Sequence, residues 1–148
     1  MGLFARVECL TNLADIADVF WRSISKDNIT TWYGKTAESR IADPADLSRI
    51  FTWLICETYD DKGNAVVYDY AAENDQQVNQ TQANERTRIL STNRNPKRIR
   101  YGNKVQRLLQ PTLRPSDMPC EVVCFFDEVH FNIIYLDLPN PSRPRPRP

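Results

Sequence analysis

The fold of this chain is decided by residues 50–70, which read IFTWLICETY, then DDKGN, then AVVYDY. The first and last runs are rich in aromatic and β-branched residues, which favour strands. The middle run contains Asp60, Asp61, Gly63 and Asn64, residue types that accept the backbone angles of a tight turn. We therefore predict a β-hairpin closed by a structural turn, with residues 50–59 as one continuous strand covered on both faces.

A similar pattern lies upstream of this hairpin. Residues 20–25 (FWRSIS) and 29–34 (ITTWYG) flank a short polar segment, KDN at 26–28, which predicts another hairpin. Between the two hairpins, residues 38–49 are predicted to form a loop with at most one helical turn, because Asp43-Pro44 is a turn or helix-start signal.

The remaining segments give weaker patterns. A strand is predicted at 97–101 (KRIRY), and a polar loop or weak helix near 75–92. Residues 1–18 form a poorly defined N-terminal segment, and residues 104–138 are uncertain, with possible extra strands at 121–126 and 129–138. The tail at 139–148 alternates proline with arginine and is predicted to be disordered. The predicted fold class is mainly β, built of antiparallel hairpins and strands.

Composition excludes several classes of protein. The 148 residues are 41% hydrophobic and 26% charged, which fits one folded domain better than a disordered chain. No apolar run approaches the roughly 20 residues of a spanning helix, and the first six residues show no secretory signal pattern. The net charge is zero, which argues against nucleic acid as a partner.

The charges are nevertheless segregated along the chain. Residues 86–114 contain nine basic side chains and no acidic one. We predict that this basic stretch lies against acidic surface, either of this chain or of a partner.

Residues able to support catalysis or metal binding are sparse. The four cysteines (Cys9, Cys56, Cys120 and Cys124) and the single histidine, His130, match no zinc-binding spacing. The four glycines are isolated, so no phosphate-binding loop is present, and no nucleophile elbow occurs. We predict no catalytic residue, no metal site and no cofactor, and therefore no enzyme.

One binding hypothesis remains open at this stage. Basic residues in the 86–114 stretch could contact a polyanion, and exposed aromatic residues could bind a glycan. The structural interpretation is favoured, because basic side chains on a strand commonly project into solvent or onto acidic groups, and aromatic residues at strand spacing usually pack. The candidate polyanion contacts are Arg94, Lys97, Arg98 and Arg100.

Four stretches together resemble a known family. They are VFWRSISKDN at 19–28, SRIADP at 39–44, FTWLICETYDDKGN at 51–64 and KRIRYGN at 97–103. In this order and spacing they resemble the N-terminal SpvB-like region of insecticidal toxin complex B components, which are RHS-related Salmonella virulence plasmid B-type proteins. The similarity covers residues 19–103.

The resemblance implies an architectural role. In that family the B and C components form a large β-sheet shell that encloses an unfolded toxic enzyme and docks onto a pore-forming A component. The implied partners are other parts of the B/C shell and, indirectly, the A component. The implied location is bacterial, cytoplasmic on synthesis and extracellular once part of a toxin complex.

The resemblance carries over no catalytic residue. Some SpvB-type proteins have an ADP-ribosyltransferase domain, whose Glu-x-Glu signature is absent from this sequence. Family members are also much longer, so we interpret the chain as a fragment or truncated gene product. Because an isolated piece of shell leaves strand edges unpaired, we predict poor solubility or self-association.

Overall fold

The computed structural model describes residues 5–74, 79, 81–110, 112–127 and 130–135, and it is mainly β, as predicted. An eight-stranded antiparallel sheet has the order β1-β2-β3-β6-β7-β8-β9-β10, and a second sheet pairs β4 with β5. The strands are β1 Ala5–Asn12, β2 Asp15–Ser25, β3 Thr30–Tyr33, β4 Arg40–Asp43, β5 Asp46–Trp53, β6 Ile55–Tyr59, β7 Ala65–Ala72, β8 Arg94–Tyr101, β9 Cys120–Asp127 and β10 His130–Tyr135. Short 3₁₀ turns occupy Ala37–Ser39, Leu90–Thr92 and Pro115–Asp117.

The upstream hairpin is confirmed as β2 and β3. Its turn is closed by backbone hydrogen bonds from Ser25 N to Ile29 O (2.9 Å) and from Asn28 N to Ser25 O (3.0 Å). Asn28 adopts a φ of 56° there, a left-handed conformation that asparagine tolerates better than most residues.

The downstream hairpin is confirmed in its turn and second arm, but its first arm is not one strand. The strand predicted at 50–59 breaks at Leu54, so that β5 belongs to the small sheet and β6 to the large one. Leu54 N donates to Ser39 O and Leu54 O accepts from Gly34 N, both at 2.8 Å. The predicted burial is also wrong, since Phe51 is 68% exposed.

Residues 38–49 form a hairpin and not the predicted loop. After the 3₁₀ turn, β4 pairs with β5, and Asp43 lies opposite Asp46 across the bend that contains Pro44. The Asp43 and Asp46 carboxylates accept hydrogen bonds from the backbone amides two residues on, which stabilises this bend. The Asp43-Pro44 signal therefore marks a hairpin turn.

The other predicted segments are placed as follows. Residues 5–12 form β1, although the sequence indicates no element there, while the strand at 97–101 is confirmed within β8. Strands also occur at both sites expected after residue 120, as β9 and β10. Residues 79 and 81–92 are turns and a 3₁₀ turn, which supports the loop interpretation. Residues 1–4, 75–78, 80, 111, 128–129 and 136–148 lie outside the described residues, and these include the ends of the strand predicted at 129–138 and the predicted tail at 139–148.

Strand register gives the large sheet two chemically different faces. Residues directly opposite one another across seven strands form a charged row: Glu8, Arg22, Trp32, Glu57, Val67, Arg100 and Glu121. The neighbouring residue in each strand points to the other face of the sheet. These neighbours also lie opposite one another and form a neutral row: Val7, Ser23, Thr31, Thr58, Val66, Tyr101 and Cys120. We call these the charged face and the neutral face. The same alternation places Cys9 and Cys124 on the neutral face beside Cys120, whereas Cys56 is the extra residue of a β-bulge between β3 and β6.

Little of the described chain is fully buried. The buried hydrophobic residues are small or few, and most strand positions of the large sheet are half-buried. This pattern is expected of a sheet covered only in places, because a sheet with a packed face would show alternating buried and exposed positions. The buried hydrophobic residues are Cys56, Ala65, Met118, Val122 and Cys124.

Candidate functional site

The four candidate polyanion contacts lie on β8, and three of them already have partners. Arg98 Nε lies 3.2 Å from a carboxylate oxygen of Glu121. Arg100 Nη2 lies 2.7 Å from Asp69, and only 12% of the Arg100 side chain is exposed. Arg94 donates to the backbone oxygen of Ser91 at 2.6 Å.

Lys97 differs from the other three. It is exposed and is the extra residue of a β-bulge, because Asp69 pairs with Arg98 and Tyr70 pairs with Pro96. The four basic side chains therefore do not converge on one open basic surface. The polyanion site stays a prediction, and Lys97 is its most accessible member.

The basic stretch at 86–114 lies against acidic groups of this same chain, as its composition predicts. Arg88 Nη2 lies 2.6 Å from Glu73, and Arg107 pairs with Glu57. The Arg98 and Arg100 pairs follow the same pattern. Arg88, Arg98, Arg100 and Arg107 thus each pair with an acidic side chain from outside the stretch, so part of the segregated charge is compensated within the fold.

The turn at residues 60–64 is held by its own side chains. Asp60 Oδ1 accepts hydrogen bonds from Lys62 N (3.0 Å) and Asn64 N (2.9 Å), and Asn64 Nδ2 donates to Asp60 Oδ2 at 2.7 Å. The hydrogen bond from the Asn64 side chain is the main reason why the pKa of Asp60 lies below its usual value. Asp61 is exposed, and Gly63 has a φ of 84°. This geometry supports the structural role predicted for the turn.

A loop formed by residues 102–110 covers part of the charged face. Arg107 pairs with Glu57, and its Cζ lies 5.3 Å from the ring centroid of Tyr59. The Arg107 and Glu57 side chains are only 11% and 15% exposed. The loop is also hydrogen-bonded to the 60–64 turn, because Arg107 N and Asn103 Nδ2 both donate to Gly63 O, at 2.9 and 2.8 Å. Sequence reasoning did not single out Arg107, since nothing local marks its partner 50 residues away.

A segment formed by residues 34–54, which includes the β4–β5 hairpin, covers part of the neutral face. Trp53 packs edge-on against Trp21 with 6.0 Å between ring centroids, and Trp53 Nε1 donates to Val19 O at 2.9 Å. Gly34 has a φ of 63°, and a Cβ there would lie 2.3 Å from Trp53 Cδ1. These two tryptophans thus belong to packing contacts and do not form an open platform for a sugar ring.

A cavity of about 420 Å³ lies beside the 34–54 segment and is lined by Lys35, Cys56, Glu57, Tyr68 and Asp69, among others. Glu57 and Asp69 are paired with arginines, and Lys35 Nζ lies 4.7 Å from the ring centroid of Trp32. Burial raises the pKa of the Cys56 thiol, which keeps it protonated and poorly nucleophilic at neutral pH. The cavity therefore offers no activated nucleophile among these residues.

Within the described part of the chain, no group of three or more His, Cys, Asp or Glu side chains could hold a metal ion. None of the described helices is long and apolar enough to cross a bilayer. The architecture is that of a β-sheet wall: an extended antiparallel sheet, thinly covered, with its charges paired across strands.

Comparison with known proteins identifies the family. The family model described as "SpvB: Salmonella virulence plasmid 65kDa B protein" matches residues 1–141, so the chain belongs to the SpvB family. The chain is 35% identical over 86 residues to the mono(ADP-ribosyl)transferase SpvB of Salmonella typhimurium (strain 14028s / SGSC 2262) and equally so to that of Salmonella enteritidis. The match covers 58% of this chain but only 14% of those relatives. The predicted family is confirmed, and the family model extends beyond residues 19–103 on both sides.

Solved structures agree with this assignment. The N-terminal domain of the effector protein SpvB from Salmonella typhimurium strain LT2 superposes with a TM-score of 0.71 and 28% identity, covering 84% of this chain and 39% of that one. TcdB2-TccC3 superposes with a TM-score of 0.69 at 22% identity, covering 84% of this chain and 6% of that one. The Photorhabdus luminescens Tc holotoxin pore superposes with a TM-score of 0.65 at 23% identity, and the match covers 83% of this chain and 6% of that one. The chain thus shares its fold with the N-terminal domain of SpvB and with a part of these toxin-complex structures.

Proposed function

We propose that this chain is a structural, non-catalytic part of a toxin-complex B-type, SpvB-like protein whose β-shell encloses and delivers a toxin. The observation that carries the proposal is the extended antiparallel sheet with two chemically distinct faces. Such a sheet separates two environments, which is what the wall of a container must do. The match to the N-terminal domain of SpvB also supports the proposal.

The proposed partners are other strands of a B/C shell and, through that shell, a pore-forming A component. Large hydrophobic side chains remain exposed on the described chain, including Leu13, Ile16, Leu47 and Phe51. In an assembled shell such side chains would be covered by neighbouring segments. The family relatives are bacterial, and we propose that this chain is exported as part of such an assembly.

The wall role predicts how the isolated chain behaves in solution. We expect association that increases with concentration in light scattering after size-exclusion chromatography, together with binding of a dye that reports exposed apolar surface. The urea-unfolded chain is the control for dye binding. A compact monomer that binds no dye at any concentration would contradict the proposal.

The non-catalytic part of the proposal has its own test. Purified chain incubated with NAD⁺ and a mixture of acceptor proteins should release no nicotinamide above the level of a heat-denatured sample. Release that scales with the concentration of folded chain would show that the matched region is an enzyme after all.

A further inference from the structure

Strand β1 is a free edge of the large sheet. It pairs with β2 on one side, and no other described strand pairs with its outer side. Val7 is 62% exposed, and 71% of the Arg6 side chain is exposed. A free edge presents unpaired N–H and C=O groups that can bind another strand.

We propose that the outer edge of β1 is a homodimer interface, in which β1 of a second copy pairs antiparallel with Val7 opposite Val7. This inference deepens the proposed function, because it names the partner of one sheet edge. It rests on the proposed function only in assuming that the sheet edges of this chain pair with other strands. The product would be a continuous sheet built from both copies.

Symmetry restricts the possible registers. Two identical antiparallel strands that continue one sheet are related by a twofold axis perpendicular to it, so one residue must lie opposite its own copy. If the residue opposite its own copy is Arg6 or Glu8, two like charges lie opposite each other, which is unfavourable. Centring on Val7 instead places Arg6 of each copy opposite Glu8 of the other.

The Val7 register also continues both faces of the sheet. Glu8 already pairs with Arg22 and with Arg6 of its own strand, and the dimer would add Arg6 of the second copy on its outer side. In the neutral row, Val7 lies opposite Ser23 and would meet the exposed Val7 of the second copy. Centring on Cys9 would instead place Glu8 opposite Leu10 and Arg6 opposite Asn12, so that no opposite charges would meet between the two copies.

Disulfide trapping tests both the edge and the register. In the proposed register Ala5 lies opposite Cys9 of the second copy, and directly opposite residues are about 4.5–5.5 Å apart between Cα atoms, which a disulfide can span. The Ala5→Cys variant should therefore form a reducible dimer under mild oxidation, with the bond mapped between positions 5 and 9 by mass spectrometry. Ala5→Cys combined with Cys9→Ser should form none.

Charge reversal provides a second measurement. Arg6→Glu would place two acidic side chains opposite each other at two symmetric points, and we expect the dimer dissociation constant to rise roughly tenfold or more. Lys97→Glu is the matched control, because it makes the same charge change at an exposed position of an interior strand and should leave the constant unchanged. Circular dichroism confirms that both variants are folded.

The outcomes separate this inference from the proposed function. A bond between two copies of Cys9 in the unmodified chain would overturn the Val7 register. Association that persists without a bond between positions 5 and 9 would overturn β1 as the interface while leaving the wall role intact. Absence of any association would overturn both.

Discussion

The 34–54 segment and the 102–110 loop cover opposite faces of the same sheet by different physics. The first is held by Trp53 against Trp21 and by the close approach of Gly34, and the second by the ion pair of Arg107 with Glu57 and by hydrogen bonds to the 60–64 turn. Apolar packing depends chiefly on the volume of the packed side chains, whereas a nearly buried ion pair depends on the presence of both charges. Because the 34–54 segment also pairs Arg40 with Asp18, the comparison teaches that the two covers differ in the tryptophan packing of the first and not in the presence of an ion pair.

The largest effect is expected at Gly34. Gly34→Ala adds a Cβ 2.3 Å from Trp53 Cδ1 at a positive φ, so we expect a loss of roughly 2–5 kcal/mol from backbone strain and overpacking together. Gly102→Ala is the matched control, because its φ is also positive but its added Cβ would lie 3.3 Å from Cys120 Sγ. Urea unfolding measures both, and equal losses would show that Trp53 does not pack as described.

The next largest effect is expected at Arg107. Arg107→Ala leaves the Glu57 carboxylate nearly buried without its partner, and we expect a loss of about 2–3 kcal/mol. Arg49→Ala removes an arginine that is 70% exposed beside Asp46, where a loss below about 1 kcal/mol is expected. Two similar losses in urea unfolding would contradict the distinction between a nearly buried and an exposed pair.

A smaller effect is expected for Trp53→Phe, which keeps an aromatic ring but removes the hydrogen bond from Nε1 to Val19 O. We expect a loss of about 1 kcal/mol, mainly for the unpaired carbonyl. Unfolding at low and high salt separates nearly buried contacts from exposed ones. The losses for Trp53→Phe and Arg107→Ala should change little with salt, because a nearly buried ion pair is screened much less than an exposed one, whereas the loss for Arg49→Ala should shrink in high salt.

The smallest effect is expected for the pH dependence of stability that arises at the 60–64 turn, to which the 102–110 loop is hydrogen-bonded. Hydrogen bonds from Asn64 and Lys62 hold the pKa of Asp60 below its usual value. The ionised form therefore stabilises the fold above the unfolded-state pKa, and this contribution is lost as the pH falls through the lower folded-state value. Asp60→Asn should make the unfolding curve less acid-sensitive than Asp61→Asn does, as measured by urea midpoints from pH 5 to pH 2.

Local signals in the sequence were sufficient for part of this fold. The 60–64 turn was predictable because Asp60, Gly63 and Asn64 carry its geometry in their own side chains and backbone angles. The upstream hairpin was predictable for the same reason, since its bend is closed within residues 25–29.

The sequence-based predictions failed where distant groups decide the structure. The break at Leu54 depends on Gly34 and Ser39, and a run of strand-forming residues looks the same with or without it. The pair of Arg107 with Glu57 joins residues 50 apart, and β1 owes its place to pairing with β2 and not to its own pattern. The sequence alone shows the basic residues of β8, but their acidic partners on β7 and β9 become apparent only from the strand register.

The sidedness of the sheet has a practical consequence for any larger particle that contains it. The thiols of Cys9, Cys120 and Cys124 project from one side, and the charged row projects from the other. A maleimide too large to enter a closed particle would therefore label Cys9 only if that side faces outward. Chemical labelling of the Cys9 thiol would thus show which side of the sheet faces the outside of the particle.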